Sequence, residues 1–302
     1  MNRLLTVVLC LSMAACGGSS SSGSSPVPTP PAGVSVLAFV STLGGAPVSG
    51  ARIIVAGMAY TTNASGQISL STPATAGVTI DASASGFIDR ATVVRSDSST
   101  ITLWQVPAGV DSMFVRQLVY NHGTTSEALW RPTATTVYIQ LTGELAGDAA
   151  SRSVHVQAAA MATAMTGGRV QVQVNDAPPS GSVVFVTSLN SAAPGSAATS
   201  LNLTNGRITG GRLEYSNSAT PRLVETVAHE FGHILGFGHS PDRLMCPFPS
   251  CRGRDISDFG QPERDVYTSM LQRNPGTLAP DNDRSTSAAS MGETTHTFVC
   301  GN

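Results

Sequence analysis

Charge is scarce in this chain of 302 residues. Only 12% of them are Asp, Glu, Lys or Arg, the formal net charge is −2, and Lys and Arg cluster nowhere. Neutralising phosphates takes such a cluster, so nucleic acid is excluded as a partner. Long apolar runs are missing as well. The best candidate, Leu4 to about Met13, is too short to stay in a bilayer as a permanent helix. Five cysteines and six histidines are few for this length, so any crowding of them is informative. With 41% apolar residues the chain can still bury one or two cores.

The first residues, "MNRLLTVVLCLSMAAC", run from one positive side chain (Arg3) through an apolar stretch to small residues, the order of a secretory signal. Met13-Ala14-Ala15-Cys16 resembles the lipobox of bacterial lipoproteins, in which cleavage precedes a cysteine that carries the lipid. The resemblance implies a signal peptide over 1–15, lipid attachment at Cys16 and a membrane partner through that anchor. Gly17, in place of Asp, implies the outer membrane. Ordinary signal cleavage after Ala14, leaving Cys16 a spectator, is the alternative. Residues 17–32 are almost entirely Gly, Ser and Pro and suit a flexible tether over 16–32. An exported chain can form disulfides among Cys246, Cys251 and Cys300.

From 33 to 107 no helical apolar stripe is sustained. Short β-branched runs such as "VSVLAFVS", "ARIIVAG" and "GQISLST" alternate with Gly, Pro and Asn turns, which predicts an antiparallel β-sandwich. The segments "PVSGARI", "TTNASGQ" and "ASGFI" resemble transthyretin-like or carboxypeptidase-regulatory-like domains, which serve as spacers or binding platforms.

Residues 109–302 read as a second, α+β domain. "TTVYIQL", "RVQVQV", "SGSVVFVTS" and "GRITGGRLEYS" predict strands, and "ELAGDAASRSVHVQAAAMATAMTGG" one long helix. Another helix follows Pro221, and "QPERDVYTSMLQ" forms a last one with Val266, Met270 and Leu271 inward. A polar tail from about 275 is expected to lack order, pinned at most by Cys300.

Three of the six histidines fall in "HEFGHILGFGH", residues 229–239. His229 and His233, four apart, project from one helix face, so both can reach a single ion. Gly236 can take the left-handed conformation that ends the helix, letting the chain return His239 from another direction. Three neutral imidazoles leave one position of a tetrahedral zinc open, the mark of a catalytic rather than a closed site. Glu230, beside the first ligand, is then the candidate general base. The alternative is a buried helix with core histidines. A bare H-E-x-x-H leaves that alternative much room, whereas the longer pattern fixes five positions.

His229, Glu230, His233, Gly236 and His239 match the metzincin signature H-E-x-x-H-x-x-G-x-x-H, and "HEFGHILGFGHS…LMCP" resembles the matrixin branch. The resemblance covers about 111–273. It implies a metzincin-like fold (twisted mixed sheet, long helix, active-site helix, C-terminal helix), one catalytic Zn²⁺, Glu230 as general base and a polypeptide substrate along an edge strand, to which "SLNLTNGRITGG" contributes. Met245 and Pro247 fit the methionine-containing turn, although the link from His239 to Met245 is shorter than the family's, and an ordinary core methionine is the alternative. The family's Asp/His/Gly-rich ion-binding loop is missing, as is a cysteine-switch propeptide. Cys246 and Cys251 are expected to pair, or one of them with Cys300; a thiolate ligand from Cys246 is the remaining option. His122, His155 and His296 are expected to be solvated or locally bonded. The function implied is zinc endopeptidase; the rival is a surface binding or adhesion lipoprotein with a non-catalytic zinc site.

Overall fold

A computed structural model describes residues 33–120, 127–240, 243–247, 257–284 and 292–301. The expected signal peptide, Cys16 and the tether lie outside these residues, as do His122 and Cys251. Among the described residues no helix is long and apolar enough to cross a membrane.

The region up to Leu103 holds seven strands: β1 (Val34–Ser41), β2 (Arg52–Val55), β3 (Met58–Thr61), β4 (Gln67–Ala74), β5 (Thr79–Ser83), β6 (Arg90–Val93) and β7 (Thr100–Leu103). They form two sheets, β4-β1-β7 and β3-β2-β5-β6. All pairs are antiparallel except β1 with β7. Alternation explains their burial. On β4, Ile68 and Leu70 point inward while Gln67 and Ser69 face water; Ile80 and Ala82 of β5 do the same. These side chains join Leu37, Phe39 and Ile53 in one hydrophobic cluster.

Helix α1 (Ser112–Tyr120) comes next, an element absent from the sequence-based expectation. Its Phe114, Val115, Leu118 and Val119 are buried, and Asp111 caps it by accepting from the Phe114 N–H at 2.9 Å. Then follow β8 (Arg131–Pro132), β9 (Thr136–Leu141), α2 (Glu144–Gly147) and α3 (Ala149–Met165). The single long helix expected from Glu144 onward is therefore two. Asp148 takes an extended conformation between them, and its carboxylate accepts from Ala150 N, starting a new helix. Ala158, Ala159 and Ala162 are buried on α3, small side chains that let neighbouring elements approach closely.

The remaining elements are β10 (Gln171–Val174), β11 (Val183–Leu189), β12 (Ala197–Thr204), β13 (Arg207–Tyr215), α4 (Val224–Ile234), α5 (Gln261–Met270) and β14 (Glu293–Cys300). The large sheet has the order β10-β9-β11-β13-β12-β14, with β8 alongside β13. Its first four strands are parallel; β12 runs antiparallel to β13, and β14 antiparallel to β12. Asn205 and Gly206, both at positive φ (51° and 76°), form the two-residue turn from β12 to β13, a chirality that matches strand twist. The chain is thus of mixed α/β class with several sheets.

One expectation for the end of the chain needs correction. The stretch after Asn274 is not a loose tail. Asp281 is fully buried, and Glu293–Cys300 is a regular strand. Buried ion pairs hold the segment around Asp281, which receives Arg273 at 2.7 and 2.8 Å and Arg90 at 2.9 Å. Arg273 also donates to the Thr102 hydroxyl and carbonyl. This triad ties β6 and β7 to the segment after α5. Leu271, as expected, packs against the core beside Val266 and Met270.

Candidate metal centre

Helix α4 carries His229, Glu230 and His233, all buried. Its end is a full Schellman motif: Gly236 N–H donates to the His233 carbonyl and Phe237 N–H to the Gly232 carbonyl, both at 2.9 Å. Gly236 sits at φ 102°, and a Cβ there would lie 1.9 Å from the Trp130 carbonyl oxygen. Only glycine satisfies both the turn and the contact. The chain then reverses, and His239 returns to the two helix histidines with ring centroids 5.4 Å from His229 and 4.8 Å from His233.

Backbone carbonyls fix the rings. His229 Nδ1 donates to Leu244 O at 2.6 Å and His233 Nδ1 to Phe237 O at 2.8 Å. With the proton on Nδ1, each Nε2 keeps its lone pair for a metal. Burial pushes the His229 pKa down to about 4, helped by the nearby His239, and burial alone does the same for His239. Both rings are neutral at neutral pH and need lose no proton to bind a cation.

Cys300 is the residue sequence reasoning missed. Its Sγ, on β14, lies 3.3 Å from His229 Nε2, 3.4 Å from His233 Nε2 and 3.5 Å from His239 Nε2. The four donor atoms fall within 4.8 Å of one another. For bonds of zinc-like length, tetrahedral N···S edges come to about 3.5 Å, so this set fits a divalent metal. The buried His229/His233/His239/Cys300 group could hold one metal ion. The expected pairing of Cys246 or Cys251 with Cys300 is overturned, because Cys300 is a free thiol. Cys246 is disulfide-bonded, which also removes it as a thiolate ligand. A signal for Cys300 did exist in "THTFVC", an alternating run typical of a strand.

Glu230 faces the same centre. Its Oε2 accepts from Thr199 Oγ1 of β12 at 2.5 Å, its Oε1 is buried, and the Cys300 thiol is the carboxylate's other side-chain neighbour. Burial raises its pKa to about 7, against the opposing pull of Thr199 and the Cys300 thiol. Met245 is fully buried and packs on α4 where Gly232 leaves room: a Cβ at Gly232 would lie 2.1 Å from Met245 Sδ. Its carbonyl accepts from Ser240 N at 2.9 Å. Pro247 is half-buried two residues on. His155 is buried, bonded to Ser151 O at 2.7 Å and to the Tyr215 hydroxyl at 3.1 Å; His296 lies on β14 against Trp130.

Neither a known family nor a curated protein matches this chain. The assignment of a role therefore rests on the geometry and on the residue pattern.

Proposed function

We propose that the region from about 109 onward is a metzincin-like, matrixin-type zinc endopeptidase acting on extracytoplasmic polypeptides, with the preceding strands as a β-sandwich spacer. The observation that carries this reading is the convergence of three imidazole nitrogens beside a buried glutamate from the same helix. His229, His233 and His239 would hold the zinc ion, which would supply Lewis-acid polarisation of the scissile carbonyl and of an attacking water. Glu230 accepts the water's proton at Oε1 and passes it to the departing amine, a task helped by the burial that raises its pKa and keeps the carboxylate basic. Thr199 holds the other carboxylate oxygen, so Oε1 keeps its aim. Strand β12, paired with β13 on one side and β14 on the other, would offer backbone donors and acceptors to an extended substrate only in place of β14. A cavity of ≈ 260 Å³, lined by Thr220, Leu223, Thr226, His229 and Leu244 among others, receives a side chain.

Cys300 favours a second reading. Three histidines and one cysteine make a closed four-donor set, the coordination of structural zinc, as in a binding or adhesion protein that never turns over. Zinc content and peptide-library cleavage, measured together on wild type, Glu230→Ala and Cys300→Ala, separate the two. The peptidase reading expects Glu230→Ala to keep zinc and lose cleavage, with Cys300→Ala keeping both. The structural reading expects Cys300→Ala to lose zinc and no protein to cleave. The proposal includes export, with which the disulfide at Cys246 agrees, and lipid attachment at Cys16, which rests on the lipobox-like sequence alone. Fatty-acid labelling that survives in Cys16→Ala would refute the attachment site.

A further inference from the structure

We infer that β14 is a built-in inhibitor of the centre, holding it latent by covering β12 and delivering the Cys300 sulfur as fourth metal ligand; the inference rests on the peptidase reading. Three features of β14 carry it. First, the strand pairs with β12 along its whole length, from Ala197↔Cys300 to Thr204↔Glu293. That is the row of backbone groups an extended substrate needs, so strand and substrate exclude each other.

Second, alternate residues of β14 turn inward over the histidines. The Phe298 ring stacks on His233 with centroids 4.0 Å apart and planes 4° from parallel. His296 packs edge-on to Phe298, and Cys300 reaches the donor cluster. Thr297 and Val299 face outward. Third, the end of the strand is clamped. The Cys300 carbonyl accepts from Ser196 N at 2.9 Å and from Ser196 Oγ at 3.0 Å. Gly301 passes so close that a Cβ at Gly195 would lie 2.5 Å from its carbonyl oxygen. The sulfur is thus positioned by backbone, not by chance of a rotamer.

A permanently closed site has no use for what stands next to the sulfur. Glu230 is fully buried beside that sulfur, a desolvation cost that a working acid/base accounts for. Lifting β14 would withdraw the Cys300 sulfur from the three histidine nitrogens, leave a fourth position for solvent on any metal they held, and free β12 for substrate. No bond of the chain need be cut for this, although cleavage before β14 would make it irreversible.

The test uses the full chain, loaded with cobalt for spectroscopy and with zinc for activity. Wild type is expected to show a sulfur-to-cobalt charge-transfer band in the near ultraviolet. Cys300→Ser should lose the band, keep one metal per chain and cleave a peptide library roughly tenfold faster or more, the factor set by the competent fraction. Phe298→Ala, which keeps the sulfur and loosens the strand, should retain the band and show an intermediate rise. A peptide of sequence ETTHTFVC, added in trans, should inhibit Cys300→Ser. A missing band in wild type, or Cys300→Ser no faster than an active wild type, overturns the inhibitor while sparing the peptidase. Loss of metal from Cys300→Ser overturns it in favour of a structural ligand. A band in wild type with no cleavage by metal-loaded Cys300→Ser overturns the peptidase reading and the latency with it, leaving only the sulfur contact.

Discussion

Replacing Gly236 by alanine tests how the third histidine is delivered. An L-residue in left-handed backbone costs about 1–2 kcal/mol, and φ 102° lies beyond the favourable part of that region. The added methyl group would also meet the Trp130 oxygen at 1.9 Å, its carbonyl carbon at 2.8 Å and Arg131 Cα at 3.3 Å. This backbone is tied on both sides: Leu129 N bonds to Thr277 O, Arg131 N to Gly206 O and Gly276 N to Leu129 O. Making room means loosening at least one such bond, about 1 kcal/mol. Together these terms put the loss at about 3 kcal/mol, measured by urea unfolding of the metal-free protein. Zinc affinity should fall by about 10- to 100-fold as His239 loses its support. Gly232→Ala is the comparator. It meets the sulfur of a flexible methionine, not backbone, and gains helix propensity of about 1 kcal/mol. A Gly236→Ala protein within about 0.5 kcal/mol of wild type, or one harmed less than Gly232→Ala, would refute the reasoning.

Thr199→Val removes the hydrogen bond that holds the Glu230 pKa down, so in the metal-free protein that pKa should climb above about 7. Carboxyl-carbon NMR titration reads it directly, and an unmoved midpoint counts against the contact. The metal-free protein should also lose stability between pH 6.5 and 4. In that window the unfolded chain binds protons that folded His229 and His239, with pKa values near 4, refuse; the loss is roughly 3 kcal/mol per ring and levels off below about 4. Glu230, raised to about 7, acts oppositely, destabilising as pH rises from 4.5, and cancels part of the slope. A flat melting temperature from pH 6.5 to 4 in EDTA would be the contrary result. Asp281→Ala leaves buried Arg273 without its carboxylate and Arg90 with Asp283 alone, and should cost about 3–5 kcal/mol. A loss below about 1 kcal/mol, by denaturant titration, would mean that the triad relaxes into water.

The ligands on α4 were legible because their geometry is local. A four-residue spacing fixes His229 and His233 on one face, and a single glycine turns the chain back toward His239. Glu230 was legible for the same reason. What the sequence could not reveal is pairing at long range. Cys300 lies 61 residues beyond His239 and reaches it only because β14 docks on β12. Composition misled here: Thr, Ser and Glu around 283–297 resemble a solvated tail, yet polar side chains on an edge strand's outer face look the same. The break at Asp148 was hidden by the strong helical propensity on either side. Thr199 gave no warning at all, since one threonine in a β-rich run carries no mark of the carboxylate it will meet.

The Arg90–Asp281–Arg273 triad bears on how the molecule comes apart. Trp104 and Ile88, which precede 109 in sequence, belong to the same hydrophobic cluster as the helices around the metal centre, and residues from Gly33 onward form one compact unit. A fragment beginning at 109 would keep every histidine of the centre and still expose an apolar face and leave Asp281 with Arg273 but without Arg90. Heat should therefore melt the strands before Leu103 and the helices after it in a single cooperative transition.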